Sequence, residues 1–132
     1  MFDYRTAQTT KIADIIDGTS NTVCVGEMLP FQAADSNFYM FNGSSAGTTI
    51  PPNWNTAGTP LTFPGCAIAF GSNVWNCRFS YASKGFKSKH PGGVNLLFCD
   101  GSVRFVKNTI SRPIYAAIGS KNGGEIVSAD AF

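Results

Sequence analysis

The sequence predicts one small α+β domain, rich in β-structure, built on an antiparallel sheet with a Val94 to Val106 hairpin and one or two short helices. Three observations predict it. First, Val94, Leu96 and Phe98 alternate with Asn95, Leu97 and Cys99, the period of two that a half-buried strand requires. Second, Asp100-Gly101 separates this run from Ser102 to Val106, again rich in β-branched and aromatic residues, and Asp-Gly between such runs favours a type I′ turn with both residues at positive φ. Third, the 132 residues are 43% hydrophobic and include 11 Phe, 4 Tyr and 2 Trp, enough for a single core. Without an internal repeat, low-complexity tract or linker, residues 1–132 read as one domain.

Taken in order, Ile12, Ile15 and Ile16 stand at near-helical spacing within Ala7 to Ile16, which suggests a short helix or turn ending at Asp17-Gly18. Thr22 to Glu27 reads as a strand. From Leu29 to about Gly71 the chain is rich in Gly, Pro, Ser, Thr and Asn, interrupted by Phe31, Phe38, Tyr39, Phe41, Trp54 and Phe63. A loop of that length without structure of its own is uncommon, so short strands are expected around Phe38 to Phe41 and Ala67 to Phe70. Another is expected from Asn76 to Ala82, where Cys77, Phe79 and Tyr81 alternate with Arg78 and Ser80. Pro91-Gly92-Gly93 should delay the first hairpin strand, because proline lacks an amide donor and glycine packs nothing. After the hairpin, a capping Ser111, an early Pro113, apolar Ile114, Ala117 and Ile118, and a stop at Gly119 predict a short helix. Glu125 to Val127 is read as a last edge strand.

Composition restricts the function classes. Only 14% of residues are charged, against about 25% in ordinary soluble domains, so Ser, Thr, Asn and Gly must cover much of the surface. That suits an extracellular or assembled protein. A net charge of +2 without a Lys/Arg cluster leaves no track for a phosphate backbone, and nucleic-acid binding is set aside. No run approaches the roughly 18 apolar residues of a membrane span, and Met1-Phe-Asp-Tyr-Arg is not a signal peptide.

Four cysteines, Cys24, Cys66, Cys77 and Cys99, allow three pairings. Cys66 with Cys77 is favoured, since closing a loop of about ten residues contributes about 2–3 kcal/mol in the chain-entropy model. Cys24 and Cys99 lie in predicted strands and pair only if those strands are neighbours; otherwise they are small buried hydrophobes.

Reactive chemistry finds little support. A single His, with no HExxH and no CxxC, argues against zinc. Asp17, Glu27, Asp100 and Asp130 are oxygen donors of the kind calcium takes, but their spacing forms no EF-hand loop, so no cofactor is expected and calcium is the one ion left open. His90, Asp100 and Cys99 include the residue types of a catalytic triad. An extended Val94 to Cys99, however, separates its ends by roughly 16 Å, and His90 and Asp100 lie beyond opposite ends. His90 is therefore read as fixing its loop through a hydrogen bond to backbone or a carboxylate, and Asp100 as serving the turn. Trp54, Trp75 and Tyr81 are the candidates for stacking on a sugar ring, against the commoner role of aromatic residues as core.

His90, nine intervening residues and then Asp100-Gly101 resemble the signature of the prepilin-type H-X9-DG domain, a family of pseudopilin-like proteins, mainly from planctomycetes, known as domain of unknown function 1559. Asp17-Gly-Thr-Ser-Asn-Thr-Val-Cys-Val-Gly-Glu27, with Gly18, Ser20 and Asn21, is similar to the family's DGTSNT…GE segment. Asn122-Gly-Gly-Glu-Ile-Val-Ser128 is similar to its closing segment. Members usually begin with a prepilin leader and a long apolar helix, like the subunits of type IV pili and type II secretion systems. This chain carries neither, and is expected to be the C-terminal globular part without the prepilin helix. The resemblance implies a structural subunit rather than an enzyme, on the cell surface, in the periplasm or outside the cell. It would associate with itself or with other pseudopilin-like subunits in a filament, through the sheet edge, the C-terminal strand or the aromatic middle region. The alternatives are a secreted carbohydrate- or surface-binding module and, third, a small hydrolase.

Overall fold

A computed structural model of the chain describes residues 10–29, 46–54, 84–125, 127 and 128. Three strands, β1 (Val23–Gly26), β2 (Gly93–Phe98) and β3 (Val103–Lys107), form one antiparallel sheet in the order β1-β2-β3. Among the described residues, a 3-10 turn, Ile12–Asp14, precedes the sheet and a short helix α1, Arg112–Ala117, follows it. The fold is the β-rich α+β class that the sequence predicts.

Alternation along β2 decides which face is core. Val94, Leu96 and Phe98 are fully buried and meet Val23, Phe86, Val106, Tyr115 and Ile118, with Ala46, Ile110 and Val127 packed against the cluster. The intervening Asn95 and Leu97 face the other way, opposite Phe105 and Val103 of β3, and Leu97 also pairs with Val25 of β1. Val25, Val103 and Phe105 on that outer face are exposed. The amide of Val23 donates to the Ile118 carbonyl (2.8 Å), so the end of α1 is joined to the start of β1.

Several local expectations change in detail. The Asp100-Gly101 turn is not type I′: Gly101 has φ +88°, but Asp100 does not have positive φ. The amide of Gly101 donates to the Phe98 carbonyl (3.0 Å) and that of Phe98 to the Ser102 carbonyl (2.9 Å), which makes a three-residue loop, Cys99 to Gly101. A loop of this length puts only its last residue in the left-handed region, where glycine is favoured. The first hairpin strand begins at Gly93 rather than Val94, and the second runs to Lys107. At α1 the Ser111 side chain makes no capping bond, and Gly119 has no positive φ. Its glycine is needed instead because a Cβ there would collide with Thr48. The isoleucine spacing near the start produces one turn, in which Ile15 is buried while Ile12 and Ile16 face solvent.

The strands expected at Phe38 to Phe41, Ala67 to Phe70 and Asn76 to Ala82 lie outside the described residues, as do Cys66, Cys77, Trp75, Tyr81 and Asp130. Ile126 does too, and Glu125 and Val127 on either side of it carry no strand pairing. Among the described residues no helix is long and apolar enough to cross a membrane.

Candidate functional site

Glu27, just past the end of β1, joins two segments far apart in sequence. Its amide donates to the Asn95 carbonyl (3.4 Å), continuing the ladder, but its own carbonyl accepts from the Lys87 amide (2.8 Å). The Asn95 amide is therefore met by the Glu27 side chain: Oε2 accepts it at 2.8 Å, and Oε1 accepts from the Asn95 side-chain amide at 3.3 Å. His90 Nε2 lies 3.1 Å from the same Oε1. Burial alone would raise the Glu27 pKa, but the Asn95 amides, Ser88 and His90 outweigh it and hold the carboxyl below its ordinary value. The His90 amide in turn donates to Ser88 Oγ (2.9 Å).

Asp17 makes the second join. Its two carboxylate oxygens accept the amides of Gly123 and Gly124, each at 2.8 Å. Gly18, at φ +92°, turns the chain so that its carbonyl accepts from Asn21 (3.0 Å) and from Thr22 Oγ1 (3.1 Å), while Asn21 Nδ2 donates to the Asp17 carbonyl (3.2 Å). Ser20 is exposed in this turn. Thr22, fully buried, also donates to the Ser120 carbonyl (3.2 Å).

Asp100 stays within its own turn. Its Oδ1 accepts from the Ser102 amide (2.8 Å) and hydroxyl (2.7 Å), and these two bonds, with Arg104 at 3.9 Å, lower its pKa. The Arg104 guanidinium lies 4.5 Å from the centroid of the Phe98 ring. The turn is tied to the first segment by Cys99 N to the Thr22 carbonyl (2.9 Å) and Asp100 N to the Thr19 carbonyl (3.1 Å).

Thus Glu27 ties the end of β1 to the hairpin, Asp17 ties the first segment to Gly123 and Gly124 with Gly18 and Asn21 shaping its turn, and His90 and Asp100 lie at opposite ends of β2. The oxygen donors do not converge: Asp17, Glu27 and Asp100 each have their own backbone partners, and no group of three or more His, Cys, Asp or Glu side chains gathers among the described residues. β1 and β2 are neighbours, and neither Cys24 nor Cys99 is in a disulfide. Burial, then the Cys24 sulfur, push Cys99 up to about 11, so that little of it is thiolate near neutral pH. Trp54 is 36% exposed.

Sequence reasoning missed three participants. Asn53, at φ 56°, donates through Nδ2 to Gly93 O (3.0 Å) and Asn108 Oδ1 (2.9 Å), and accepts from the Ser88 amide (2.7 Å). Pro51-Pro52-Asn53 was a usable signal, since Asn tolerates this backbone region in turns. Asn95 reads only as an outward strand position. Lys87 is 1% exposed, with Nζ 3.3 Å from the Gly85 carbonyl, and burial lowers its pKa to about 8; nothing in Lys84 to His90 marks it as the buried lysine among three.

A family model described as a protein of unknown function, DUF1559, matches residues 2–112. No curated protein and no solved structure matches the chain.

Proposed function

Because the chain belongs to the DUF1559 family, we propose that it is a non-enzymatic assembly subunit, the head domain of a pseudopilin-like protein exposed on the cell surface or in the periplasm. The observation that carries this reading is how the signature residues use their polar atoms. The Glu27, Asp17 and Asp100 carboxylates accept from Asn95, from Gly123 and Gly124, and from Ser102. Groups committed to backbone amides in this way hold segments together; they are not poised to exchange protons with a substrate. Such a head presents surface instead of chemistry. Its outer sheet face offers Val25, Val103 and Phe105 to solvent, the kind of apolar area that a contact between subunits removes from water.

The test is cross-linking mass spectrometry on the protein recovered from its native source. Cross-links from Lys107, exposed on β3 beside this face, to another copy or to a second pilin-like subunit are expected. Links confined within one chain would overturn the assembly role. The exposure of Trp54 favours a second reading, a surface- or glycan-binding module. Trp54→Ala would then abolish glycan-array binding without lowering Tm.

A further inference from the structure

The Cys24 and Cys99 pair is not used by the joins described above. β1 carries a bulge between Val23, which pairs with Phe98, and Val25, which pairs with Leu97, so Cys24 is the extra residue. Cys99 stands opposite Thr22, bonded through its amide to the Thr22 carbonyl (2.9 Å). In a regular ladder, residues on such a diagonal are about 7–8 Å apart. A bulge bends its strand and increases the local twist, and here the Cys24 thiol lies close enough to that of Cys99 to raise its pKa. Both are half-buried, and neither is in a disulfide. Among the described residues, hydrogen bonds and side-chain packing hold β1 to the hairpin.

We propose that Cys24 and Cys99 are the two halves of an intramolecular disulfide that clamps β1 to the β2–β3 turn, formed by exchange with a small-molecule disulfide such as oxidised glutathione. The step balances. One protein thiolate attacks the small disulfide and expels one small thiolate, leaving a mixed disulfide. The second protein thiolate attacks the protein sulfur of that mixed disulfide and expels the other small thiolate. Two protein thiols are oxidised, one small disulfide is reduced to two small thiols, and the protons pass to them. The bridge would close a loop of roughly 75 residues, so it restricts the unfolded chain strongly. It is stable in oxidising compartments and open in reducing ones.

The whole chain carrying Cys66→Ser and Cys77→Ser, incubated with oxidised glutathione, is expected to lose the mass of two hydrogens and both reactive thiols. Its Tm should rise by on the order of 10 °C and return when dithiothreitol is added. In the unsubstituted chain, non-reducing peptide mapping should yield a linked pair of peptides that holds Cys24 and Cys99, so the test does not depend on that variant folding. Stable glutathione adducts on either thiol, two thiols left unreacted, a pairing of Cys24 or Cys99 with Cys66 or Cys77, or a bridge that leaves Tm unchanged would each overturn the clamp.

Discussion

Replacing Glu27 removes the acceptor of the Asn95 amide in the central strand, and the structure allows the cost to be divided. In Glu27→Ala a half-buried backbone N–H loses a 2.8 Å bond that the Glu27 carbonyl cannot supply, because that carbonyl is held by Lys87. An orphaned donor costs about 1–3 kcal/mol. Glu27→Gln keeps one carbonyl oxygen and should cost about 1 kcal/mol. The His90 contact is a smaller share: its side chain is 54% exposed and that of Glu27 35%, and water screens the pair, so His90→Ala should cost about 0.2–1 kcal/mol. Urea unfolding of the two single variants and the double variant isolates the coupling, expected below about 1 kcal/mol. The pH dependence has a definite sign. The Glu27 carboxyl titrates below its ordinary 4.5 in the folded state, so its contribution is complete above about pH 4.5 and is lost as pH falls through the lower folded value. The difference between wild type and Glu27→Gln should shrink over that range. A coupling above about 2 kcal/mol, or a Glu27→Ala variant as stable as wild type, would refute the assignment of Glu27 to the Asn95 amide.

Three further outcomes follow from the core. Lys87 is fully buried with its pKa lowered to about 8 from 10.5, so the unfolded chain binds the extra proton between these values and stability should rise with pH from about 8 to 9, before Cys99 and Tyr115 titrate in the opposite sense. Lys87→Met should abolish that slope and add on the order of 2 kcal/mol near neutral pH, as read by urea unfolding across the range. Among the described residues the buried Tyr115 hydroxyl has no hydrogen-bond partner, so Tyr115→Phe should leave Tm unchanged or raise it in a thermal melt. A Cβ at Gly26 would meet the Phe86 ring and the Leu96 side chain, so Gly26→Ala should destabilise by about 1–3 kcal/mol in the same urea assay.

The hairpin and the helix were legible because alternation, Asp-Gly and Ser-x-Pro act over a few residues, and tertiary contacts did not override them. The turn type was not, since Asp-Gly serves both two- and three-residue loops and the choice depends on where β3 resumes pairing. Gly119 looked like a helix stop, whereas a contact with Thr48, distant in sequence, requires it. Similarly, local geometry led only to a hydrogen bond from His90 to backbone or a carboxylate, and the identity of Glu27 required the pairing of β1 with β2. Lys87 was out of reach for a related reason: one buried lysine among exposed neighbours differs from them only in what packs over it.

The most direct test of the assembly reading is electron microscopy, with intact mass, of the protein recovered from its native source. Filaments or rings in which this domain repeats along the outside are the expected result. Dispersed monomers that stay single at high concentration would contradict it.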